Sequence, residues 1–265
     1  MLEANLSSPA RIHDTAVIDE QAYLGDGVVV GAYAVIGPNV RIGDSTRIGP
    51  HVVIERDTHV GRECHLHTGA VIGGDPQDLK YAGEQSDLVI GDRTVIRECV
   101  TINRGTAARG RTELGSDCLI MAYAHIAHDC VLGDHVILSN AVNMGGHCAL
   151  GDWAVVGGLT AIHQFAQIGR HAFIGGLSAV RKDVPPFVKA SGNPLRLFGL
   201  NSVGLERRGF SDKERAELRR AYRLLFQSKQ TLRDAAERVR DELAASPLVI
   251  ELLAFIDGST RGITM

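Results

Sequence analysis

From Ile12 to Val180, every sixth residue is Ile, Leu, Val or Met, with Asp78, Glu84 and Ala108 as the exceptions. No helix repeats every six residues and a half-buried strand repeats every two, so this period selects a solenoid before any motif is considered. With each such residue taken as the first of a hexad, the fifth is small or β-branched, as in Ala16, Ala22, Val28, Ala34, Val40 and Thr46. The second is often glycine, as in Gly25, Gly31, Gly37 and Gly43. Strand side chains alternate faces, so the fifth residue and the next first residue point into a core while the second and sixth point out. The third and fourth turn a corner, where Gly, Asp and Asn are tolerated. Three such faces close a triangular coil of eighteen residues. Stacking coils at about 4.8 Å gives a parallel β-helix of roughly ten coils. Each aliphatic side chain in its central ladder contributes on the order of 1.5–3 kcal/mol on burial.

Two stretches leave the pattern. Residues 75–87 (DPQDLKYAGEQSD) and 107–113 (AARGRTE) read as loops on the solenoid. Each is open to two readings, a tolerated surface insertion or a functional loop. The repeat stops at Asp183-Val184-Pro185-Pro186, which divides the chain into a β-helix over 1–185 and a helical cap over 186–265. Ser211 followed by Glu214 is a capping box that opens a helix to about residue 228. Thr231 opens a second to about residue 245, and Pro247 a third to about residue 256. A cap of this kind hides the open sheet edge at the end of the solenoid. Its beginning is basic (Arg196, Arg207, Arg208, Arg219, Arg220, Arg223), which suits either a solvated helix face or an anionic partner.

The net charge of −3 argues against a nucleic-acid binder, which carries a basic footprint. Met1 to Arg11 has no apolar core of a signal peptide, and the apolar run Leu248–Ile256 is interrupted by Glu251. A cytoplasmic protein without an integral membrane segment is expected. Cys64, Cys118, Cys130 and Cys148 all stand fifth in their hexads, so they read as small buried residues rather than as a disulfide or metal set.

The histidines carry the chemistry. His128, His147 and His163 occupy hexads starting at 126, 144 and 162, so they share one corner on three successive coils, with His125 just before. His128, Gly146 and Gln164 stand in one column. Such a cluster can be interface polarity, a metal site shared between subunits, or a general base with substrate-binding partners, as acyl transfer requires. The spacing of His125 and His128 gives no evident convergent metal set.

The strings QDLKYAGE (77–84), TINRGT (101–106), AHIAHDC (124–130), GGH (145–147), AIHQF (161–165), DVPPF (183–187) and GLNSVGLERRGF (199–210) occur in this order. On them the chain resembles, end to end, the UDP-N-acetylglucosamine acyltransferases of the hexapeptide-repeat superfamily. The resemblance implies a left-handed parallel β-helix with a C-terminal α-helical domain, assembled as a homotrimer. It implies transfer of a 3-hydroxyacyl chain from acyl carrier protein to the 3-OH of UDP-N-acetylglucosamine, the first step of lipid A synthesis. No cofactor or metal is implied, since the acyl group arrives on the carrier's phosphopantetheine. By the same resemblance, His128 is the general base, Asp129 orients it, and the Gly146 N–H meets the oxyanion. Asp78 and Lys80 match positions that hold the sugar, and Asn103 counts among the substrate-binding positions. His125, His147, His163 and Gln164 match sugar-nucleotide or acyl-pantetheine contacts. Asn201 and Arg207 match nucleotide contacts, Arg207 and Arg208 would suit the acidic carrier, and Gly176 matches the acyl-length ruler, left open here for a long chain. Three positions depart from the family pattern: Asn103 and Pro194 where His is common, and Val203 where Glu is found. N-acylation of a 3-amino sugar nucleotide, and a non-catalytic or metal-binding trimeric β-helix, stay open as alternatives.

Overall fold

The computed structural model describes residues 9–243 and 245–265; the segment before them, which enters the signal-peptide expectation, lies outside the described residues. Between Arg11 and Val180 the chain winds through mostly two-residue strands that form three parallel sheets. The first sheet opens with Arg11–Ile12 and has nine strands in this span, eleven with the two that follow Val180; the second opens with Val17–Ile18 and has nine, and the third opens with Tyr23–Leu24 and has eight. The coil is left-handed. Ile126 pairs with Met144 and Met144 with Ile162, the eighteen-residue step that the period predicts. Across the two loops the partners are Ile72 with Ile102 and Ile102 with Ile126, steps of thirty and twenty-four residues. The insertions therefore add twelve and six residues. Because both are whole hexads, the ladder returns in phase.

The ladder is dry. Ile54, Ile72, Ile102 and Ile126 are completely buried, as are Val52, Ala70, Val100 and Cys130. Cys64, Cys118 and Cys148 lie inside as expected, while Cys99 is exposed. The corners differ from expectation. Their fourth residue is left-handed at most corners, yet it is filled by Tyr33, Trp153, Leu159 and Phe165 as readily as by Asp or Asn. A left-handed residue costs roughly 1–2 kcal/mol. Most of the N–H groups there are compensated by a carbonyl of the coil below, as in His147 N to His128 O at 3.0 Å and Phe165 N to Gly146 O at 2.9 Å, and those of Tyr33 and Asp129 by a threonine hydroxyl. Glycine is needed instead at the second position: a Cβ on Gly37 would lie 1.7 Å from Glu55 O of the next coil.

Stacking runs on past residue 185. The strand Val188–Ser191 pairs with Phe173–Ile174 and is followed antiparallel by Arg196–Leu200. Helices α1 (Ser202–Arg207), α2 (Asp212–Phe226), α3 (Leu232–Leu243) and α4 (Pro247–Gly258) follow. The Ser211–Glu214 capping box is formed at the start of α2. Helix α1 has no counterpart in the sequence reading; Asn201 caps it by accepting from Gly204 N. The cap has its own core of Phe187, Leu205, Leu218, Leu225, Val239 and Leu252. The tail then closes the last coil: Asp183 N donates to Gly262 O, and Thr264 N to Asp183 O. Among the described residues no helix is long and apolar enough to cross a membrane.

Candidate active site

The corner between the second and third sheets carries the column Gly74, Arg104, His128, Gly146 and Gln164. The strand His125–Ile126 delivers His128 and Asp129 to it, and both are buried. His128 Nδ1 lies 2.8 Å from Asp129 Oδ2. Burial raises the Asp129 carboxyl, but hydrogen bonds from His128 and from Thr106 outweigh it and hold the group below the usual carboxylate range. Asp129 is thus ionised and accepts, so His128 Nδ1 carries the proton and its Nε2 keeps a lone pair.

Gly146 sits one coil above. At the corner between the third and first sheets, Asp44, Asp134 and Asp152 each accept the N–H of the corner residue one coil below. No such carboxylate stands over Gly146, whose neighbour above is Gln164. Among the described residues its N–H meets no acceptor, so it can stabilise an oxyanion beside the imidazole. The need for glycine here has a sharper reason than close approach of substrate: a Cβ would lie 2.6 Å from His128 Cε1.

His147 stands edge-on to His128 with centroids 5.0 Å apart, and stacks on Phe165 at 4.4 Å. Burial lowers its basicity; Asp129 and Asp78 pull the other way. Asp78 and Lys80 sit on the first loop, where the Asp78 carboxylate accepts from Lys80 N at 3.0 Å and Lys80 is exposed. His125 bonds Thr101 Oγ1 through Nδ1 at 2.7 Å, and burial followed by the nearby His128 lowers its pKa.

His128, Asp129 and His147 each offer a ligand atom within 4.8 Å of the others, a convergent set that the spacing of His125 and His128 did not suggest. The donor set fits hydrogen bonding better than a cation. Asp129 Oδ1 already accepts from Thr106 N, and Oδ2 from both Thr106 Oγ1 and His128, so a metal would have to break these bonds in a buried site.

Other expected residues lie elsewhere. Asn103 is buried beneath the first loop, where its Nδ2 donates to Asp75 O. His163 is exposed one coil above His147 and meets Arg261 of the tail at 3.1 Å. Gly176 stacks on Gly158 at the corner between the first and second sheets, one sheet width from His128. Asn201, Arg207 and Arg208 line a cavity of about 1060 Å³ over the first sheet, with Val155, Phe173 and Phe198 as its apolar floor. Arg208 lies 4.6 Å over the Trp153 ring, and burial lowers its pKa. The sequence reading missed Thr106, Thr112, Arg104 and Arg261. The string TINRGT contains Arg104 and Thr106, so a signal for two of them was present without a role attached.

A family model described as "Udp N-acetylglucosamine O-acyltransferase; Domain 2" matches residues 183–264. Bacterial transferase hexapeptide repeats match residues 9–44, 39–74 and 111–146. The chain is 60% identical over 245 residues to the acyl-[acyl-carrier-protein]–UDP-N-acetylglucosamine O-acyltransferase of Chlorobaculum tepidum, spanning 92% of this chain and 93% of that protein. It is 48% identical over 257 residues to the protein of the same name from Herminiimonas arsenicoxydans, spanning 95% and 98%. Its structure resembles that of the UDP-N-acetylglucosamine O-acyltransferase from Moraxella catarrhalis at a TM-score of 0.93, with 41% identity over 96% of this chain and 99% of that one. The enzyme from Bacteroides fragilis gives 0.94, with 39% identity over 96% and 100%.

Proposed function

The chain belongs to the UDP-N-acetylglucosamine O-acyltransferase family, and on that premise we propose how its own residues carry out the transfer. It is an acyltransferase of lipid A biosynthesis that moves an acyl chain from acyl carrier protein to UDP-N-acetylglucosamine. The N-acylating and non-catalytic alternatives are not favoured.

His128 Nε2 takes the proton of the sugar 3-OH as its oxygen attacks the thioester carbon of a 3-hydroxyacyl group. The Gly146 N–H holds the resulting oxyanion. Collapse expels the pantetheine thiolate, which recovers the proton from His128. Asp129 stabilises the imidazolium while it exists. A positioned base contributes about 10²–10⁴-fold and an oxyanion donor about 3–4 kcal/mol. An acyl-enzyme is not required. Cys130 is completely buried with its Sγ donating to Gly145 O, and the neighbouring Cys148 thiol together with burial holds its thiol well above the ordinary value.

Asp78, Lys80, His125 and His147 are assigned to the sugar, His163 and Gln164 to the acyl-pantetheine end. Asn201, Arg207 and Arg208 are assigned to the nucleotide, and the basic cap to the acidic carrier. Because these arginines open over the first sheet and His128 lies between the second and third, one prism does not bring the two groups together. A homotrimer in which the arginines of one copy face the His128 corner of the next accounts for both. Gly176 leaves the acyl groove open for a long chain. The reaction calls for no cofactor beyond the carrier's phosphopantetheine, and four buried thiols suit a reducing cytoplasm.

The observation that carries the reading is the Asp129–His128 bond, which leaves Nε2 as the free base beside an unclaimed N–H. His128→Ala should abolish product formation by mass spectrometry while circular dichroism stays that of the folded protein. Retained turnover would refute the assignment.

A further inference from the structure

The carboxylate oxygen that serves the base has two suitors. Asp129 Oδ2 lies 2.8 Å from His128 Nδ1 and 3.7 Å from His147 Nδ1. A small rotation of the carboxylate would transfer the hydrogen bond from one imidazole to the other. Thr106 opposes that rotation at both oxygens: its N–H donates to Oδ1 at 3.0 Å, and its hydroxyl to Oδ2 at 2.7 Å. The hydroxyl is itself oriented, because Ala108 N donates to it at 3.2 Å, leaving its own proton for the carboxylate. Thr112 Oγ1 accepts the Asp129 N–H at 2.8 Å and fixes the backbone. Thr106 also ties down the second loop, since its carbonyl accepts from Gly110 N at 2.7 Å. It is buried, and its hydroxyl bonds Asp129 and Ala108 N rather than either imidazole.

We propose that Thr106 is the positioning residue of the catalytic dyad: it commits the Asp129 carboxylate to His128 rather than His147, and so sets which nitrogen of His128 is the base. The second loop is then the brace of the dyad, not a tolerated insertion. The inference rests on His128 being the base.

Thr106→Val keeps the shape and the N–H bond and removes only the hydroxyl. It should lower kcat about 30-fold, within the range that a misoriented general base forfeits, while KM for both substrates stays within about 2-fold. Thr106→Ser should restore kcat to within about 3-fold of the parent. In ¹⁵N-histidine spectra, the parent His128 should be the Nδ1–H tautomer alone and Thr106→Val a mixture of tautomers, with His128→Asn supplying the assignment. Should the valine variant not fold, Thr106→Ala carries the same expectations. If His128→Ala keeps its turnover, the base assignment itself is wrong. If His128→Ala is dead while Thr106→Val keeps the parent's kcat and tautomer, or changes KM alone, the role of Thr106 is overturned and the base assignment stands.

Discussion

At the scale of single residues, the column of His128, Gly146 and Gln164 was legible because an eighteen-residue step needs no structure to be counted. What counting could not reach was the atom that each residue answers to. Gly146 is glycine because the imidazole below occupies the space a methyl would take. Its φ is unexceptional, so alanine is permitted by the backbone and excluded by the ring. Gly146→Ala should therefore displace His128 from the oxyanion donor and cut kcat at least about 100-fold, with only a small change in Tm. Parent-like kcat in a folded Gly146→Ala protein would contradict this packing argument. Thr106 was illegible for the opposite reason. It precedes a loop that breaks the period, and its bond to Asp129 spans twenty-three residues with no repeat to announce it.

At the scale of elements, strands and the three longer helices follow from periodicity and capping, and their bounds agree with expectation to within a few residues. Helix α1 did not, because six residues containing Gly204 carry too short a pattern. The joint between prism and cap was also invisible. It is built around His171, which lies between the rings of Trp153 and Phe187, meets Phe210 edge-on at 5.0 Å, and accepts Asn201 Nδ2 at its carbonyl. Burial, then Arg170 and Arg208, push its pKa down to about 4. An unfolded chain titrates this histidine near 6.5. Between those values the unfolded state binds the proton and the folded state does not, so stability is full above about pH 6.5 and falls as pH is lowered toward 4. Denaturant titrations of His171→Phe should be flatter across that window than those of the parent. Equal slopes would remove His171 as the acid-sensitive element of the joint.

At the scale of the whole molecule, the separation of the expected residues onto two faces is itself informative. The period places His128 at the corner between the second and third sheets. The cap hangs Arg207 and Arg208 over the first sheet, beyond Trp153. On the proposed assignments a single chain would hold the two halves of a site on separate surfaces, for a neighbouring copy to join. Rotational symmetry about a threefold axis would pair the corner of each copy with the cap of the next, giving three equivalent sites. This arrangement is open to a complementation test. His128→Ala alone should be inactive, as should Arg207→Ala combined with Arg208→Ala. Co-expressed in equal amounts, they form mixed trimers in which one of the three sites joins an intact corner to an intact cap. Three quarters of random trimers are mixed, so activity should return to about a quarter of the parent's. A site completed within one chain would give no recovery at any ratio, because every copy would then carry one broken half.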